Sequence, residues 1–289
     1  MSTILQAIAN GVMVGGIYAL IGMSLTIIFG VMKVINFCEG QLLMLGMYLS
    51  YVLYEECHLD TFLAIPIIIA AMFLFGALLQ STLITRSIRE GDDDTNILFM
   101  TAGMGILFTN LMLLIFGSDY HTARAFTTDK IVNVGNVSLS MSKLFSFFIL
   151  LVITALLFVF LRYTTIGKQI RATAQNRTGA EVCGIKARVV YACTYGLGAA
   201  LAGVAGACLM SFYYVFPSVG DTYGTRSFIV VTIGGLGNTV GAFIGGIVLG
   251  LLETVGSVVV GSSFKDTVVY VAFVLILVIK NRIQARRKS

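Results

Sequence analysis

The stretch ILQAIANGVMVGGIYALIGMSLTIIFGVM, Ile4 to Met32, contains no Asp, Glu, Lys, Arg or His. A helix needs roughly 20 apolar residues to cross the hydrocarbon core of a bilayer, so this run is long enough to span. The rest of the 289 residues follow the same pattern: 57% are hydrophobic, 11% are charged, and the mean hydropathy is +0.94. Soluble domains carry about 25% charged residues, and a chain this apolar cannot cover a water-facing surface. A transmembrane β-barrel would alternate in polarity over segments of about 10 residues, and these runs do not alternate. The reading is an all-α, polytopic transmembrane helical bundle.

Working outward, hydrophobic segments cover roughly 4–29, 41–54, 61–85, 96–116, 144–161, 189–215, 227–260 and 267–279, about eight spans in a single transmembrane domain over 1–289. The first Lys or Arg is Lys33, so no basic n-region of a signal peptide precedes the first segment, which is expected to be retained. Fourteen of the nineteen Lys and Arg residues fall in the first loop, the loop after Thr85, the loop 162–188 and the tail from Lys280. Basic loops stay cytoplasmic, which puts the N-terminus outside and the C-terminus inside. The net charge of +5 reflects these loops rather than a nucleic-acid surface.

That topology constrains the segment 227–260, which must cross an even number of times or re-enter. Its 34 residues are too many for one span and too few for two full ones. The run GGLGNTVG from Gly234 interrupts it, so a glycine-broken or re-entrant helix is expected there. A second interruption lies between Gly30 and Gln41. Irregular backbone at membrane depth survives against protein or along a watery path, and interrupted segments in both halves point to a translocation path. Tight turns and close helix packing explain the same glycines without a path. The last segment is short for a span, so Lys265 and Lys280 are expected to snorkel.

Catalysis finds little support. His58 and His121 lie far apart in polar loops, and neither a G-x-S-x-G elbow nor a G-x-x-x-x-G-K-[ST] phosphate loop occurs. Cys38, Cys57, Cys183, Cys193 and Cys208 form no C-x-x-C pair or metal-ligand spacing. Glu90, Asp92, Asp93 and Asp94 lack EF-hand spacing and read as a solvated loop. The reading is not an enzyme. Ionisable residues within hydrophobic segments are better candidates, because each is costly in lipid and faces a cavity or partner. Glu253 lies in the penultimate segment, and Glu39, flanked by Asn36, Cys38 and Gln41, lies at the interruption. Arg226 and Asp221 are placed at the outer edge before the broken helix. Together with Gly235, Gly237 and Asn238, the residues Asn36, Glu39, Gln41 and Glu253 make up the expected path. The loop TTIGKQIRATAQNRTGAEVCGIKAR, Thr164–Arg188, shows a short amphipathic helix broken by Gly179 and Gly184. It either rests on the membrane surface or docks into a groove on a soluble partner.

Four stretches carry a family resemblance: Gly15–Tyr48, Gly167–Ile185, Ala200–Leu209 and Phe216–Gly250. They resemble the LivH-type permease subunits of bacterial high-affinity ABC importers for branched-chain amino acids, binding-protein-dependent inner membrane components. The resemblance implies a second permease subunit, an M-type paralogue giving a heterodimer, two cytoplasmic ATPases, and an extracellular or periplasmic substrate-binding protein. It also implies that ATP and magnesium bind to the ATPases, with no cofactor or metal on this chain. Within the cytoplasmic loop 164–188 the resemblance implies a coupling helix over the region Gly167–Ile185, with Gly167, Arg171, Ala172, Asn176, Ala180 and Gly184 at the positions matching that motif. Where the family usually reads V-I-N-F-A-H-G-E, this chain has VINFCEGQ, so Cys38, Glu39 and Gln41 depart from it. A urea or short-chain amide permease has similar motifs. A stand-alone secondary transporter or channel would need no ATPase partner.

Overall fold

The computed structural model describes residues 2–85, 94–128, 130–134 and 137–288. Glu90, Asp92 and Asp93 of the acidic run therefore lie outside the described residues. Helices dominate because lipid offers no partner to a backbone N–H or C=O, so each spanning segment must satisfy its own. They are α1 (Ser2–Met32), α2 (Glu39–Cys57), α3 (Ile65–Leu79, continued by a π-helical turn Gln80–Ile84), α4 (Asp94–Phe116), α5 (Met141–Tyr163), α6 (Thr165–Gln175), α7 (Arg177–Val182), α8 (Ala187–Met210), α9 (Val219–Gly234), α10 (Thr239–Val260) and α11 (Lys265–Lys288). Six of these, α1, α3, α4, α5, α8 and α10, are long and apolar enough to cross a membrane.

Seven of the eight hydrophobic segments form one helix each, and 227–260 is divided between α9 and α10. The division comes from a helical hairpin rather than a single broken span. Helix α9 begins at Val219, eight residues before the hydrophobic run, which gives the hairpin the length that 227–260 lacks. Gly235 and Gly237, at φ 94° and 82°, take a turn that side chains with a Cβ resist. Asn238 then caps α10 by accepting from Gly241 N at 3.1 Å.

Helices α1 and α8 form the centre of the bundle. Helix α1 packs along α10 and against α8, α8 packs on α2 and α3, and α9 closes between α2 and α10. The α1–α10 seam depends on small residues: a Cβ on Gly250 would collide with the backbone of Gly11 and Gly15. The apolar faces of α3, α4, α5 and α11, including Leu74, Ile106, Leu114, Val152 and Val274, are exposed on the outside of the bundle. Such apolar surface suits contact with lipid.

The two ends differ. One, the basic end, carries α6 and α7. Gly30 and the Gly237 turn meet there, lining a small cavity with Arg171 of α6. The other, the hairpin end, carries an antiparallel pair, β1 (Ile131–Val134) and β2 (Val137–Ser140), in the loop 117–143. These four-residue strands are too short to stand out from a polar loop in sequence. The loop is tied to the bundle where His121 and Val215 exchange backbone hydrogen bonds of 3.0 and 2.9 Å.

Candidate functional site: a polar face and two charged clusters

The expected path residues divide among three places. Asn36, Glu39 and Gln41 lie together where α2 begins. Lys33, with φ 59°, ends α1, and the chain turns back into the bundle before α2 starts. Its depth is set by neighbours: Phe37 N donates to Thr101 Oγ1 at 3.2 Å, and Gln41 packs against Gly105, the central residue of α4. Helix α2 thus starts halfway along α4 rather than at its end.

Within this group Glu39 and Asn36 are fully enclosed, at 0% and 1% exposure. Asn36 Nδ2 donates to Glu39 Oε2 at 3.2 Å, while Asn36 Oδ1 accepts from Cys38 N at 3.1 Å and from the Tyr195 hydroxyl at 3.3 Å. Among the described residues no donor lies within hydrogen-bond geometry of Glu39 Oε1, and the nearby Ser24 hydroxyl donates to Gly198 O at 2.7 Å. Gln41 points the other way. Its Nε2 donates to Asp221 Oδ1 at 2.8 Å, and Asp221, Thr222 and Thr225 of α9 are exposed on the surface of the chain. A polar face therefore runs along α9 beside α2 at the depth of the middle of α4. The approach is close because glycines face each other: a Cβ on Gly40 would strike the backbone of Gly220 and Gly224.

Glu253 belongs to a second cluster, in which Glu253, Tyr18 and Arg226 are buried in the bundle. It accepts from the Tyr18 hydroxyl at 2.6 Å, from Arg226 at 3.1 Å and from Lys265 at 2.6 Å. Arg226 also pairs with Asp266 at 3.0 Å and lies over the rings of Tyr18 and Tyr223, 5.5 Å from each centroid. Lys265 is thus held by Glu253 rather than snorkelling. Arg226 and Asp221, placed at an outer edge by sequence, are both in α9. Arg226 is buried in the bundle, while Asp221, in the first turn of α9, stays exposed beside α2. Only one signal in the sequence pointed to the pairing: Arg226 and Glu253 are both ionisable residues in apolar surroundings, and such residues need partners.

Gly235, Gly237 and Asn238 lie in neither group. They form the turn at the basic end, against Gly30 and α6. The coupling residues gather there too. Thr164 caps α6, its Oγ1 accepting from Gly167 N at 3.0 Å. Gly167 and Ile170 are buried, and Arg171 faces out. Ile170 packs with Val31, Val190 and Tyr191, so α6 touches the ends of both central helices. The break falls at Asn176 rather than Gly179, because the Asn176 side chain accepts from Gly179 N at 2.9 Å and starts α7. Ala180 is buried, and Gly184, with φ 83°, follows the end of α7. Among the described residues no three His, Cys, Asp or Glu side chains converge as metal ligands.

A bundle of apolar helices with charged groups held inside it fits a multi-pass membrane protein, and a polar face at mid-depth suits one that passes solutes. The sequence profile of the family described as branched-chain amino acid transport system / permease component matches residues 7–279, and the chain belongs to that family. It is 31% identical to the high-affinity branched-chain amino acid transport system permease protein LivH of Salmonella typhimurium, covering 95% of this chain and 93% of that one. To BraD of Pseudomonas aeruginosa, also named a high-affinity branched-chain amino acid transport system permease protein, it is 27% identical over 96% of this chain and 94% of that one. A shorter match, 31% identity over 44% of this chain and 42% of the other, is to the ribose import permease protein RbsC of Bacillus subtilis. No solved structure matches the chain.

Proposed function

We propose that this chain is the permease subunit of an ATP-driven importer, moving leucine, isoleucine and valine along a path between itself and a second permease subunit. The family match supports the importer reading, and the observation that carries the path is Asp221. Its exposed carboxylate, tied to Gln41, lies level with the middle of α4. A charged group at that depth is costly against hydrocarbon and favours a watery path or a protein partner. Thr222 and Thr225 extend the same polar face. In this reading the ammonium group of a passing amino acid meets Asp221, and Glu39, closed off behind Asn36, becomes accessible in another state of the cycle. Weak contacts suit a path, since tight ones would slow release, and selectivity then resides mainly in the substrate-binding protein.

The hairpin end faces outward and receives the binding protein, and the basic end faces the cytoplasm. Two ATPases bind there, and the second permease is an M-type paralogue. The distribution of Lys and Arg supports this orientation. Val182, an apolar side chain 83% exposed on α7, and Ile166 on α6 give a soluble partner an apolar contact. Movement of α6 on ATP binding is passed on through Ile170 to α1 and α8, and through Arg171 to the α9–α10 turn.

Uptake into vesicles by the assembled transporter tests the path. Asp221→Asn is expected to cut the turnover of leucine uptake by about tenfold while Thr225→Ala has a small effect. Full uptake with Asp221→Asn removes this face from the path. Glu39→Gln is expected to slow uptake too, and an unchanged rate would exclude Glu39 as an ammonium site.

A further inference from the structure

A cavity of about 590 Å³ enters the bundle at the hairpin end, among α1, α5, α8 and α10. It reaches from Thr3 and Lys143 to Tyr18 and Glu253, with Lys265 on its wall. Its other walls are mixed. Asn10 and Ser257 are polar, while Val14, Leu209 and Phe212 are apolar.

The charges around it do not balance. Among the described residues, Arg226 and Lys265 both pair with Glu253, and Arg226 also pairs with Asp266. These two cations and two carboxylates compensate each other. Lys143 is left over. It is half-buried, has no carboxylate or hydrogen-bond partner among the described residues, and its ammonium lies 5.7 Å from the centroid of the Phe212 ring. One positive charge without a carboxylate partner therefore faces a concave, partly apolar cavity, which attracts anions there.

We propose that this cavity is an oxyanion site that takes the carboxylate of the amino acid entering the transporter, with Lys143 as the residue that recognises it. The hydrocarbon side chain of the amino acid then lies against Val14, Leu209 and Phe212. The Glu253 cluster closes the floor, so the cavity is a pocket separate from the Asp221 face, where an amino acid arriving at this end would be held first. The inference rests on the importer reading and adds to it where the substrate first meets this chain. A lipid phosphate offers the same oxyanion chemistry, and the test separates the two sources.

Ser257→Cys places a reporter thiol on the cavity wall in the complete transporter, in phosphatidylcholine vesicles, with the native cysteines replaced by Ser. Modification by a neutral maleimide is then timed. Millimolar leucine is expected to slow it by about tenfold. Leucinamide, which lacks the carboxylate, is expected to leave it unchanged. Lys143→Gln should abolish the protection and Lys143→Arg should retain it, which separates loss of charge from misfolding. Equal protection by leucinamide, or leucine protection that survives Lys143→Gln, overturns the proposal. Protection on adding phosphatidylglycerol but not leucine also overturns it, in favour of lipid. ATP-driven leucine uptake by the unaltered transporter without any protection sinks the cavity assignment alone. Absence of uptake of every branched-chain amino acid sinks the importer reading and this proposal together.

Discussion

Glu253 and Asp266 both hold Arg226, yet they differ in how much the fold depends on them. Glu253 is enclosed and answers two cations and a tyrosine, whereas the Asp266 side chain is 69% exposed. Removing one partner of a buried pair leaves an uncompensated charge and costs about 3–5 kcal/mol, while an exposed pair contributes about 0–1 kcal/mol. Glu253→Ala is therefore expected to lower the thermal unfolding midpoint in detergent well below that of Asp266→Ala. Equal midpoints would mean that water reaches the Glu253 cluster freely. The sequence marked Glu253 and Glu39 as costly residues, and both are buried with partners. It did not pair Arg226 with Glu253, because that contact spans 27 residues and exists only once α9 and α10 fold back on each other. Asp221 escaped for a related reason: an acid near the start of a hydrophobic run reads as an end, and only the Gln41 contact fixes its depth.

At the scale of elements, the helices were legible and their ends less so. A long apolar run writes a spanning helix directly, as with α1, α5 and α8. Helix starts depend on caps and close packing. The sequence reading puts breaks in the loop 164–188 at Gly179 and Gly184; Gly184 follows the end of α7, but the first break falls at Asn176, which makes the better cap. Asn176→Ala should cost about 1 kcal/mol of local stability and loosen α7 from α6. In the proposed coupling role, the amount of amino acid moved per ATP hydrolysed should fall while the protein still assembles. Unchanged coupling would separate α7 from the ATPase contact. The α1–α10 seam offers a sharper disruption. Gly250→Leu forces bulk between two backbones in contact, and overpacking costs about 1–3 kcal/mol. That variant is expected to show reduced yield of folded protein on gel filtration, whereas Ile244→Leu, at an exposed position on the same helix, should not.

For the molecule as a whole, the proposed orientation follows from the asymmetry of its two ends. The basic loop 162–188 and the α9–α10 turn share one end, and the β-hairpin, the start of α1 and the charged cavity share the other. A cysteine at Val182 should react with an impermeant thiol reagent only from the cytoplasmic face, and one at Lys130 only from outside. The reverse pattern would invert the molecule and with it the sites assigned to the ATPases and the binding protein. The central claim, ATP-driven import of branched-chain amino acids, is tested most directly by uptake into vesicles holding this chain with its second permease, ATPases and binding protein. The panel should contain leucine, isoleucine, valine, polar amino acids and urea. Saturable uptake of leucine, isoleucine or valine that requires both ATP and the binding protein is the predicted result, and uptake that continues without ATP would contradict it.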